Sequence, residues 1–179
     1  MSIFRALFCG LVAAIGPQVA SGPEVGASPR PFQVAAITGD HSGETVDATT
    51  DRGAKATVYV FVQADKWDRP MARFLKTLDK ELEADPKLSD VRTVAVWLGD
   101  DATKSKDYLP RAQLSLQLAK TDLTVFDGDR FGPVGWSISP EAHLTAVVVR
   151  DGKVAARFGH VSVNETDVPA VMKSLKPSP

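Results

Sequence analysis

The run Thr57-Val58-Tyr59-Val60-Phe61-Val62 decides the fold, together with the loop Gln63-Ala64-Asp65-Lys66-Trp67-Asp68-Arg69-Pro70 and the apolar series Met71, Phe74, Leu75, Leu78 and Leu82 that follow it. The first run has no polar face, which is the pattern of a strand buried on both sides in a parallel sheet. The loop is polar except for one tryptophan. The apolar series recurs at three- and four-residue spacings, so it reads as an amphipathic helix with one buried stripe. Asp68 is placed to cap the first free N–H groups, and Pro70 falls in the first turn, where its missing donor is harmless.

Downstream, Ala84-Asp85-Pro86 ends the helical pattern, because proline removes a donor and clashes inside a helix. Residues 91–98 form the next strand, and a right-handed return to the sheet makes a βαβ unit. Residues 103–118 are helical, with Pro110 expected to divide them into one helix at 105–109 and another at 111–118. A short strand covers 123–126, and residues 131–138 hold at most a helical turn, weakened by Gly132, Pro133 and Gly135. Residues 145–149 are a strong strand. Arg150-Asp151-Gly152-Lys153 is a two-residue hairpin turn, and residues 154–158 pair back antiparallel. Asn164 or Thr166 caps a closing helix that runs to about Leu175. Upstream, residues 32–37 and 44–48 flank a glycine-rich turn and read as a hairpin, joined to the central strand by a polar connection at 49–55.

This order of elements resembles the thioredoxin superfamily over residues 32–176. In that family a buried strand delivers Trp-Cys-Gly-Pro-Cys to the start of a helix, and here the same five places read Trp67-Asp68-Arg69-Pro70-Met71. The segment Val148-Val149-Arg150-Asp151-Gly152-Lys153-Val154 is similar to the family's strand-Asp-Gly-Lys-strand ending. The N-terminal hairpin resembles the one ahead of the core in peroxiredoxins and membrane-tethered envelope thioredoxins. The resemblance implies an α/β thioredoxin-like fold: a central mixed β-sheet flanked by helices, with an N-terminal β-hairpin. It also implies a lost dithiol, with Asp68 in the place of the attacking cysteine and Met71 in that of the resolving one. The family sets a cis-proline just ahead of the penultimate strand. Counting back from Gly152 without gaps puts His143 there, and Pro140 lies three residues too early.

A chain of 179 residues suffices for one domain with a proper core. A net charge of −1 and a pI near 6.3 give no basic field, so neither nucleic acid nor an anionic membrane is expected as the main partner. The N-terminus has a different composition. Arg5 supplies a positive start, residues 6–15 an apolar run too short to span a bilayer comfortably, and Val19-Ala20-Ser21 small residues for cleavage before Gly22. Residues 1–21 therefore read as a secretory signal peptide, with an uncleaved anchor as the alternative. Residues 22–31 read as an extended lead-in or flexible tether, and 32–179 as the domain. The expected location is secreted or periplasmic, with no stable membrane insertion after cleavage. Cys9 is the only cysteine. Cleavage would remove it, and with it disulfides, thiolate catalysis and thiolate metal sites.

The candidate site is the cleft at the former Cys-x-x-Cys position, formed by Trp67, Asp68, Arg69, Pro70 and His143. Trp67 in a loop is a natural recognition anchor, and Trp136, in another loop expected on the same face, would join it. Such a cleft would hold a protein or peptide partner with no cofactor, no resident metal and no catalytic residue. A rival reading makes Asp68 and His143 a carboxylate–imidazole couple for acid–base or metal-assisted chemistry. Plainer roles compete with each: Asp68 as a helix cap, Met71 as core, His143 as a polar loop residue. Asp127-Gly128-Asp129 and Asp100-Asp101 lack the pattern of a calcium loop and read as turns. Asn164-Glu165-Thr166 is either a glycosylation sequon or a helix cap.

Overall fold

The computed structural model describes residues 18–176. Cys9 and the apolar part of the expected signal peptide lie outside the described residues. Thr57–Gln63 forms the central strand β4, counting from β1 (Gln18–Val19), β2 (Gln33–Ala36) and β3 (Thr45–Asp47) upstream. All seven residues of β4 are buried. Beside it lie β5 (Arg92–Leu98) and β6 (Thr121–Val125), parallel to it, and β7 (Leu144–Arg150), antiparallel. β8 (Lys153–His160) extends this side, and the full order is β1-β8-β7-β4-β5-β6-β2-β3. β2 and β3 form the expected hairpin, which joins the sheet through β6. At the β7–β8 turn Asp151 and Gly152 both have positive φ, 51° and 69°, the geometry a tight right-twisting hairpin requires.

Three helices cover one face: α2 (Arg69–Ala84), α3 (Ala102–Leu116) and α4 (Val168–Leu175), numbered after the short α1 (Ala48–Arg52). Met71, Phe74, Leu75, Leu78 and Leu82 of α2 are all buried there against Val58, Val60 and Val62 of β4. The Asp68 side chain accepts the Met71 N–H at 2.9 Å, and Pro70 stands in the first turn, so the helix starts as its sequence dictates. A cap of this kind contributes about 1 kcal/mol. Asp79, also on α2, is 1% exposed and accepts the N–H groups of Ala119 and Lys120 and the Thr121 hydroxyl, at 2.7–2.9 Å. It ties the helix to the start of β6.

Several expectations need correction. α3 is one continuous helix with Pro110 inside it, not two. Pro110 and Lys106, whose carbonyl loses its partner, both face solvent, where water replaces the bond. The polar connection contains α1, which Asp47 initiates by accepting the N–H groups of Thr49 and Thr50. Residues 131–138 hold only a turn, as expected, closed by the Trp136 N–H on the Pro133 carbonyl at 3.1 Å. Trp136 is fully buried on the opposite face of the sheet and cannot join Trp67. Its ring packs 5.0 Å from Phe32, 5.1 Å from Tyr59 and 5.0 Å from Phe61, and its indole N–H donates to the Arg30 carbonyl at 2.9 Å. This irregular segment, with Phe32 and α1, closes the second core. The segment at 22–31 is extended but not a loose tether: Gly22, Gly26 and Ala27 form backbone hydrogen bonds to Ser137 and Val154.

Candidate functional site

The C-terminal ends of β4 and β5 open beside the start of α2, the place where parallel α/β sheets characteristically leave a crevice. After β4 the chain makes one 3-10 turn, Ala64–Lys66, and reaches Trp67 in an extended conformation. The Trp67 ring is half-buried and meets Trp97 of β5 edge-on, with centroids 5.0 Å apart. Its indole N–H donates to the Tyr108 hydroxyl on α3 at 2.8 Å. Trp67 and Tyr108 thus form a wall held at both ends. On one side lies a cavity of about 380 Å³ lined by Trp97, Asp65, Asp100, Lys104 and Arg130 as well as the wall itself. On the other, Asp68, Arg69, Ala72 and Arg111 border a shallower groove.

The rim of the first cavity is charged. The Arg130 guanidinium donates to Asp100 at 2.9 Å and lies 3.7 Å from Asp65, so it bridges the two loops after β4 and β5. It also sits 5.5 Å from the Phe131 ring centroid. These pairs are solvent-exposed, so they orient the rim more than they stabilise the fold. The floor is apolar and the edges can accept or donate hydrogen bonds.

Of the residues singled out from the sequence, Trp67, Asp68 and Arg69 come together on this surface, with Pro70 half-buried in the first turn behind them. Met71 is core. His143 stands apart. It directly precedes β7, as the count from Gly152 requires, but its carbonyl accepts the Gln63 N–H at 3.0 Å and its N–H donates to His160 at 2.8 Å. The backbone at this position is already used on both sides. Leu144, Ala146 and Val148 face the helical layer and Val147 and Val149 the opposite core, and His143 lies just outside the strand. No hydrogen bond or ion pair links His143 to Asp68, and His143 borders neither cavity at Trp67. The Asp68 carboxylate is occupied in capping α2. Among the described residues, no group of three or more His, Cys, Asp or Glu side chains is placed to hold a metal ion.

The overall architecture has counterparts among solved structures. The fold is thioredoxin-like. Among solved structures, the chain is similar to the thiol:disulfide interchange protein DsbE of Chlorobium tepidum, with a TM-score of 0.58 and 19% identity, covering 86% of this chain and 96% of that one. It is similar to the peroxidoxin BcpB of Mycobacterium tuberculosis, with a TM-score of 0.60 and 13% identity, covering 86% and 96%. A secreted Mycobacterium tuberculosis disulfide oxidoreductase matches with a TM-score of 0.57 and 14% identity, covering 80% and 93%. No family model matches the chain, and no curated protein matches its sequence. The segment at the start of α2 reads Trp67-Asp68-Arg69-Pro70-Met71, and the whole chain has one cysteine.

Trp97, Tyr108, Asp65 and Arg130 are not singled out from the sequence, and Asp100 is read there only as a turn residue. They come from four separate segments. Only the rule that crevices form beyond the carboxyl ends of parallel strands could have pointed to Asp65 and Asp100, each just past such an end.

Proposed function

We propose that the chain is an exported, redox-inactive thioredoxin-like domain that holds an extended segment of a partner protein beside Trp67 without exchanging disulfides. One observation carries this reading. Where the dithiol would stand, a capped helix start presents Trp67 between two hollows, braced by Trp97 and by the Tyr108 hydroxyl. A rigid, half-buried aromatic flanked by apolar floor and polar rim is the anatomy of a recognition anchor. The Asp68, Arg69 and Arg111 edge gives the segment hydrogen-bonding neighbours along the groove. A single cysteine cannot form the intramolecular disulfide on which two-cysteine exchange depends. The acid–base rival draws no support, because Asp68 and His143 share neither a bond nor a cavity.

Crosslinking in the exported fraction tests this, with wild type beside Trp67→Ala and Asp68→Ala. The expected result is a defined partner captured by wild type and reduced at least tenfold by Trp67→Ala, with the thermal midpoint of the variant still showing a folded domain. Equal capture by both proteins would refute the anchor. Disulfide reduction in an insulin assay that survives Cys9→Ser would refute the redox-inactive assignment.

A further inference from the structure

The N-terminal segment is built into the sheet. Gln18 and Val19 pair with His160 and Gly159 of β8. Ser21 is 2% exposed; its hydroxyl lies 2.6 Å from that of Thr145 and accepts the Ser139 N–H at 2.9 Å. The Gly22 N–H donates to Ser137 at 3.0 Å, and the Gly22 carbonyl accepts from the Arg157 guanidinium at 2.7 Å. Lower down, Gly26 and Ala27 bracket Val154 with hydrogen bonds of 2.8 and 2.9 Å.

Two glycines give independent support. Gly159 lies inside β8, where glycine weakens a strand and makes no turn. A Cβ there would strike the Val19 carbonyl and Ser21, so the residue is small because β1 crosses it. Gly22 is buried at a φ of +99°, and a Cβ there would press on Val147 and Arg157. The sequence of β8 is thus fitted to residues 19–22.

The small-residue cleavage signal at Val19-Ala20-Ser21 therefore lies within the folded domain. A cut after Ser21 would remove the partner of buried Thr145 and of the half-buried Ser139 N–H, and would place a new ammonium on buried Gly22. We infer that export processing of this chain occurs upstream of Gln18 and that β1 is retained in the mature protein. The step is a hydrolysis by an export-pathway endopeptidase: one amide bond breaks, water gives its hydroxyl to the carbonyl side and a proton to the new amine, and no electrons are exchanged. This inference shares only the expectation of export with the function proposed above, and it does not depend on any partner.

The test is the intact mass and thermal midpoint of the full chain after export in a bacterial host, for wild type and for Ser21→Ala. The expected wild-type mass is below that of the full chain and corresponds to a start at or before Gln18. Ser21→Ala should keep that start, lose the mass of one oxygen and melt about 3 °C lower or more, as removal of a buried hydrogen-bond partner does. An N-terminus at Gly22, with wild type and Ser21→Ala then identical in mass and melting, would overturn the inference, as would an uncut chain or any other start beyond Gln18.

Discussion

His160 should make the protein lose stability as the pH falls through the range in which free histidine titrates. The side chain lies at the end of β8 and is 1% exposed, and neither ring nitrogen has a hydrogen-bond partner within the protein. Its ring stacks on Phe158, centroids 6.5 Å apart and planes 13° apart, and meets Phe74 of α2 at 6.5 Å. Burial in this apolar setting lowers its pKa below 6.5, and the charge of Asp167 draws it only partly back. The unfolded chain therefore binds a proton that the folded protein refuses, and stability rises with pH wherever the unfolded state holds more protons. The loss begins near the unfolded pKa of 6.5 and continues downward until the folded ring itself titrates. If the folded ring stays neutral, moving from pH 7.5 to 5.5 costs about 1.4 kcal/mol, or about 3–5 °C in thermal midpoint for a domain of this size. The assay is thermal unfolding at both pH values for wild type and His160→Leu, which removes the titrating group and fills the same apolar space. The variant should lose most of this pH dependence while being at least as stable at pH 7.5, since it no longer buries two unpaired nitrogens. His41, whose shift has the opposite sign, is common to both proteins and cancels in the difference. Equal slopes for wild type and variant, or a His160 ring resonance titrating at or above 6.5, would refute the reasoning.

Asp79→Asn keeps the size of the side chain but replaces one acceptor by a donor facing the N–H groups of Ala119 and Lys120 and the Thr121 hydroxyl. A loss of about 2–4 kcal/mol in urea unfolding is expected, and a loss below about 1 kcal/mol would mean that this carboxylate does not hold α2 to β6. His41 stands 3.1 Å from Glu44 and 3.0 Å from Asp51, and the Glu44 hydrogen bond, followed by the Asp51 charge, raises its pKa above 6.5. Glu44→Gln should lower its NMR titration midpoint toward 6.5; an unchanged midpoint would contradict this assignment.

The fold was legible in the sequence because its signals are local and periodic. The unbroken run at β4, the helical stripe from Met71 to Leu82 and the Asp151-Gly152 turn each depend on residues a few places apart, and each stands where it was expected. Pro110 misled because the cost of proline depends on what its freed carbonyl faces. That is settled by the orientation of the whole of α3, and sequence spacing does not report it. The two tryptophans show the same limit. Trp67 and Trp136 both sit in loops of mixed composition, yet one is half-buried at a sheet end while the other plugs the second core against Phe32, Tyr59 and Phe61. Loop residues carry no period, so nothing local says which side of the sheet they cross.

Trp67, Asp68 and Arg69 are consecutive, and the capped start of α2 fixes their relation to one another. His143 was tied to them only through the resemblance. Its backbone is bonded on both sides, to Gln63 and to His160, and it borders neither hollow beside Trp67. The Trp67 wall acquires its partners from Trp97 and Tyr108 instead, on the α3 side of the crevice. A segment gripped here would lie between α2 and α3, displaced from the β7 edge, and contacts to Tyr108 would distinguish that path from one along His143.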